Sequence, residues 1–127
     1  MDNSSNILKL SPSKDIKKRQ RYKPEDVLRR DYYELPKFLF SDEFNFLDND
    51  ARVLYALLKE EYRVCIINNQ VDENGDLYFE LSREDMGNLL NVSKPTAIKA
   101  VNKLKEYGLM EEERRGKGNL NRLYLTF

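Results

Sequence analysis

An α+β fold is predicted by three features of this sequence. Two helical periodicities, SREDMGNLL and SKPTAIKAVNKLKEYG, are separated by only Asn91 and Val92; a Gly-punctuated basic stretch, RRGKGNLNR, follows between two β-prone runs; and DNDARVLYALLKEEYRV carries a third helical pattern upstream. Helices joined this tightly form a helix-turn-helix. The order helix, short strand, helix, helix, hairpin is that of a winged helix, preceded here by an aromatic segment and a flexible basic arm.

The arm is expected over residues 1–31. KDIKKRQRYKPEDVLRR is low in apolar residues, so it has little surface to bury, with helix expected only from Glu25 to Arg30 after a break at Pro24. It is either a solvated linker or an arm whose Lys17, Lys18, Arg19 and Arg21 touch phosphates or a minor groove. The winged-helix domain is expected over residues 32–127. It opens with Tyr32, Tyr33, Phe38, Phe40, Phe44 and Phe46, too many rings to leave in water, arranged around Pro36 as short strand-like or single-turn pieces. These rings pack on their own core, or some of them (Tyr32, Tyr33, Phe38 and Phe40) form a dimer contact.

Each further element has its own signal. Asp48, Asn49 and Asp50 offer acceptors for a helix start, and Val53, Leu54, Leu57, Leu58 and Tyr62 follow at helical spacing. DENGD at 72–76 is a turn and LYFEL at 77–81 a short strand. Ser82 and Asp85 form a capping box for a helix with Met86, Leu89 and Leu90 on its apolar side, and Gly87 inside it is read as a site of close helix approach. Ser93 caps the next helix, Pro95 falls in its first turn, and Gly108 ends it. Ala97, Ile98, Val101 and Leu104 give its apolar side. A strand from Leu109 to Arg114 and another from Arg122, in which Leu123, Leu125 and Phe127 alternate with polar neighbours, complete the hairpin. Glu111, Glu112 and Glu113 break the alternation of the first strand.

Composition narrows the function. The chain has no histidine and one cysteine, Cys65, so a disulfide, a Cys-rich zinc site and Ser/His/Asp or Cys/His catalysis are all excluded within it. Glu60/Glu61 and Glu84/Asp85 read as caps and wet helix faces rather than catalytic pairs, and no phosphate-cradling glycine loop occurs. A non-catalytic, soluble, cytoplasmic protein without cofactor or metal is expected. The net charge is zero, yet it is segregated: residues 9–30 hold nine Lys/Arg against three Asp/Glu, residues 31–92 five against fourteen, and residues 93–127 eight against four. The basic end contains the second helix of the helix-turn-helix and the hairpin.

That placement points to DNA. A recognition helix reads base edges from its exposed face, while Lys, Arg, Ser and Thr around it hold phosphates. At 100° per residue Thr96, Lys99 and Lys103 fall within an arc of about 60° away from the apolar side. Thr96 and Lys99 are the expected base contacts, with Lys94 and Lys103 nearer the backbone. The hairpin tip adds Arg114, Arg115, Lys117, Asn119, Asn121 and Arg122, and Gly116 and Gly118 let its backbone approach a phosphate ridge.

The segments YYELPKFLF, LDNDARVLYALLKEEY and DENGDLYFELSREDMGNLLNVSKPTAIKAVNKLKEYGLM, taken in order, resemble the N-terminal domain of RepA-type replication initiators of plasmids from low-GC Gram-positive bacteria. The resemblance covers Tyr32 to Phe127, about three quarters of the chain. It implies binding to repeated double-stranded DNA sites at a plasmid origin and initiation of replication there, and not the tyrosine chemistry of histidine-containing rolling-circle nucleases. It also implies a further C-terminal domain, absent from this sequence, through which host replication proteins would be engaged. Repeated sites suit a homodimer. Two rivals remain: a winged-helix transcription regulator binding an operator, and a winged helix used only for protein contacts.

Overall fold

A computed structural model describes residues 17–127, so the first sixteen residues of the expected arm lie outside the described residues. The chain divides between Tyr32 and Tyr33 into two units. In the first, Lys17, Lys18, Arg19 and Arg21 are exposed, and one short helix, α1 (Pro24–Val27), follows. The expected helix from Glu25 to Arg30 is corrected at both ends. Pro24 starts the helix instead of breaking it, because a first-turn residue needs no amide hydrogen. The helix stops at Val27 because Val27 and Leu28 are 64% and 80% exposed, leaving no packing to extend it.

The second unit holds three longer helices and a hairpin: α2 (Asn49–Ile67), α3 (Arg83–Leu90), α4 (Lys94–Glu106), β1 (Met110–Glu113) and β2 (Arg122–Leu125). The strands are antiparallel, with Met110 opposite Leu125 and Glu112 opposite Leu123. Leu39, Leu47, Leu54, Leu58, Met86, Val101, Leu104 and Leu123 are fully buried and bring the aromatic segment, all three helices and the hairpin onto one core. Among the described residues no helix is long and apolar enough to cross a membrane.

Helix α2 starts where Asp48 Oδ1 accepts from the Ala51 amide at 3.0 Å. Leu54, Leu57 and Leu58 are buried, but Val53 is 43% exposed, since it lies about 100° of helical rotation before Leu54 and so turns away from the core. Two tyrosines of α2 hold the end of the hairpin: Tyr55 donates to the Thr126 carbonyl, and Tyr62 accepts from the Leu125 amide, each at 2.7 Å. Burial pushes Tyr62 up to about 12, so it acts there as a neutral phenol. Cys65 is a buried free thiol, which burial also pushes up.

The aromatic segment forms single 3-10 turns at Lys37–Phe40 and Asp42–Phe44. Arg52 fastens it to α2, donating to the carbonyls of Leu39 and Phe44 at 2.8 Å each, while its guanidinium lies 4.6 Å from the Phe40 ring centre. Phe38 meets Phe44 and Tyr55 edge-on at 5.9 and 5.7 Å. The expected strand at 77–81 is reduced to two isolated bridging residues, Leu77 opposite Val71 and Phe79 opposite Leu123. Phe79 exchanges both backbone hydrogen bonds with Leu123, at 3.0 and 2.9 Å, before the chain turns away at Ser82, the cap of α3.

Both halves of the Ser82/Asp85 capping box are present, at 3.0 and 2.9 Å. Asn91 closes α3 at φ +59°, a conformation Asn tolerates better than most residues. Gly87 serves this turn: its carbonyl accepts from the Val92 amide at 2.9 Å, and a Cβ on it would stand 3.0 Å from the Val92 oxygen. A side chain at this position would therefore crowd the backbone of the turn between α3 and α4.

Candidate nucleic-acid interface

Helix α4 is held by Ala97, Ala100, Val101 and Leu104, all buried, which fixes the direction of its free face. Relative to the mean direction of those four, Lys99 points roughly 150° away, Lys103 roughly 110° and Thr96 roughly 90°. The burial pattern follows: Lys99 is exposed, whereas Thr96 and Lys103 are half-buried on the flanks. Lys99 thus leads the exposed face, beside exposed Pro95 and Asn102. Asn102 was not singled out from the sequence, although its place three residues after Lys99 puts it on the same face.

The other helix residues are partly engaged. Thr96 Oγ1 lies 3.0 Å from Ser93 Oγ, so part of its hydrogen-bonding capacity is used within the cap. Lys103 Nζ stands 3.6 Å from Glu106, an ion pair loose enough to open toward a phosphate. Lys94 is exposed in the first turn.

The hairpin tip runs from Arg114 to Leu120, and Asn121 leads back into β2. Gly116 and Gly118 take φ of +99° and +84°, which only glycine adopts freely, and the Asn119 amide closes a turn onto the Gly116 carbonyl at 3.2 Å. Arg114, Arg115, Lys117 and Asn119 are all exposed, with Arg115 held 3.2 Å from Glu113 and Asn119 Nδ2 3.4 Å from the Arg115 carbonyl. Asn121 and Arg122, expected beside them, are instead turned toward the protein. Asn121 Nδ2 donates to Glu112 Oε2 at 3.0 Å. The Arg122 guanidinium lies 4.2 Å from the Tyr78 ring centre, with its Nε enclosed. The cause is position: both stand where the loop rejoins β2, within reach of Glu112 and Tyr78.

Below the tip lies a network that the sequence did not disclose. Glu112 Oε1 accepts from Arg83 Nη2 at 2.9 Å and from Lys105 Nζ at 2.8 Å, while Oε2 takes the Asn121 amide. Burial alone would raise the Glu112 carboxyl, but these hydrogen bonds and the Arg83 charge outweigh it and hold the group down at about 2. One clue was available. In β1 the Glu run puts Glu112 on the same side as buried Met110, so it must find partners there.

The geometry therefore has two basic surfaces, a helix face and a glycine-bearing tip, on one winged-helix unit. The family of replication initiator protein A (RepA) N-terminal domains matches the chain over residues 31–126. The chain belongs to that family. This RepA N-terminal domain is 31% identical over 98 residues to a 41 kDa protein of Lactobacillus helveticus, covering 76% of the chain and 28% of that relative. It thus spans less than a third of the relative's length. Three solved structures resemble the RepA N-terminal domain closely. An N-terminal domain of a DNA-binding protein shares 32% identity at a TM-score of 0.74, covering 87% of this chain and 85% of that one. The protein of a Rep–DNA complex shares 33% at 0.73, covering 85% and 84%, and an MDR initiator 29% at 0.69, covering 85% and 86%. The expected winged-helix class and the resemblance noted from the sequence agree with these matches.

Proposed function

We propose that this RepA N-terminal domain binds double-stranded DNA at repeated sites of a plasmid origin and so marks the origin for initiation, without catalysis of its own. The observation that carries the reading is the pairing of an exposed, Lys99-led face on α4 with a basic glycine tip. Its 33% identity to the protein of a Rep–DNA complex supports the same reading. Lys99 and Thr96, with Asn102 beside them, meet base edges in the major groove. Lys94, Lys103, Arg114, Arg115, Lys117 and Asn119 hold phosphates, and Lys17, Lys18, Arg19 and Arg21 add backbone contacts. Asn121 and Arg122 brace the junction of the loop with β2.

Two copies on paired sites use the exposed aromatics Tyr33 and Phe40 of the second unit, which are 59% and 53% exposed. Phe38 is left out of that contact, since its ring packs edge-on within its own unit. Footprinting on the source plasmid should protect direct repeats at the origin, and log affinity should fall with log salt at about 0.9 per phosphate contacted. Protection of a single palindromic operator would favour a transcription regulator. A salt-independent interaction would defeat DNA binding altogether.

A further inference from the structure

The Glu112 carboxylate is an acidic group placed between two basic surfaces. Its side chain is only 13% exposed, and its three partners come from three separate parts of the fold. Arg83 opens α3, Lys105 lies in the last turn of α4, and Asn121 stands where the tip returns to β2. Both carboxylate oxygens are used, so the helix-turn-helix and the two sides of the wing meet at one side chain.

Stability alone gives weak reason for an ionic group here. A buried ion pair gains little over a well-packed apolar residue, and Glu112 faces inward opposite Leu123, where an apolar side chain would pack. Electrostatics argues the same way, because a negative charge here reduces attraction for phosphates. What the carboxylate supplies is directional geometry, which apolar packing does not.

We propose that Glu112 is a positioning residue for DNA binding: it fixes the wing against α4, so that the helix face and the tip reach a duplex in one register. This rests on the DNA-binding reading above. Arg83, Lys105 and Asn121 are the struts of the frame, and none of them needs to touch DNA. Simple charge removal and loss of the frame then predict opposite outcomes for specific binding. Removing the charge raises attraction for any duplex, whereas losing the frame lowers discrimination between duplexes.

The test measures affinity of the chain for an origin-repeat duplex and for a scrambled duplex, with Glu112→Gln, Lys117→Ala and the double variant. Circular dichroism establishes that each is folded, and Glu112→Met, which fills the site with an apolar chain of similar length, replaces Gln if that variant unfolds. The expected result is a fall of about ten-fold in the repeat-to-scrambled ratio for Glu112→Gln, with scrambled affinity unchanged or raised. Lys117→Ala should cost several-fold in the wild-type background and less than about two-fold beside Glu112→Gln, because an unfixed tip no longer delivers its lysine. A folded Glu112 variant that keeps both the ratio and the full Lys117 cost overturns the proposal while leaving DNA binding intact. A wild-type chain that binds neither duplex overturns the DNA-binding reading and this proposal together.

Discussion

The exposed face of α4 and the tip of the wing carry the same kind of charge on opposite kinds of scaffold. Helix α4 packs four buried side chains against the core, so the positions of Thr96, Lys99 and Asn102 are set by a rigid cylinder. The tip has two glycines at positive φ, and every residue from Arg114 to Leu120 is exposed. A rigid row keeps fixed spacing and suits base edges, which demand it. A glycine turn adapts its backbone and suits phosphates, which repeat along every sequence. On the proposed reading, similar basic residues take different tasks according to the stiffness of what carries them.

Acid should disturb the junction between the two most. Glu112 is held below its ordinary 4.5, at about 2. Its stabilisation is therefore complete above about pH 4.5 and is lost as pH falls toward 2, a contribution on the order of 3 kcal/mol. Wild type should exceed Glu112→Gln in denaturant midpoint at pH 7, with the gap closing over that acid window. Equal midpoints throughout would show that the carboxylate is not held as its geometry indicates.

Next is the turn that aims α4. Gly87→Val drives side-chain atoms into the Val92 carbonyl, whose oxygen would stand only 3.0 Å from even a bare Cβ, and should cost about 2 kcal/mol in thermal or denaturant unfolding. Repeat binding should weaken alongside. A neutral substitution would mean that the turn relaxes freely and does not set the helix direction.

The smallest effect belongs to the tip. Lys117→Ala should weaken repeat and scrambled duplexes alike by less than about 1 kcal/mol and lower the salt slope by about one. A selective loss on the repeat would move base reading from the helix to the wing.

Much of this was legible in the sequence because local signals agreed. The Ser82/Asp85 box, the Ser93 cap, Pro95 in a first turn and the glycine-rich tip each speak for nearby backbone, and each element formed where its signal lay. Features that depend on distant neighbours were less legible. LYFEL has strand propensity, but only Phe79 reaches β2 before Ser82 redirects the chain. Asn121 and Arg122 read as tip residues by composition, yet Glu112 and Tyr78, nine and forty-four positions away, take their polar groups inward. Thr96 and Lys103 looked as exposed as Lys99 on a helical wheel until the width of the core around α4 covered their flanks.

The proposed division of labour, in which α4 discriminates between sequences while the wing only holds the backbone, is decided by a single comparison. Affinities for an origin-repeat duplex and a scrambled duplex at one fixed salt concentration give a specificity ratio for wild type, Lys99→Ala and Lys117→Ala. Lys99→Ala should lower this ratio by about ten-fold or more, and Lys117→Ala should leave it unchanged. An unchanged ratio in Lys99→Ala, or an equal fall in both variants, would contradict that division of labour.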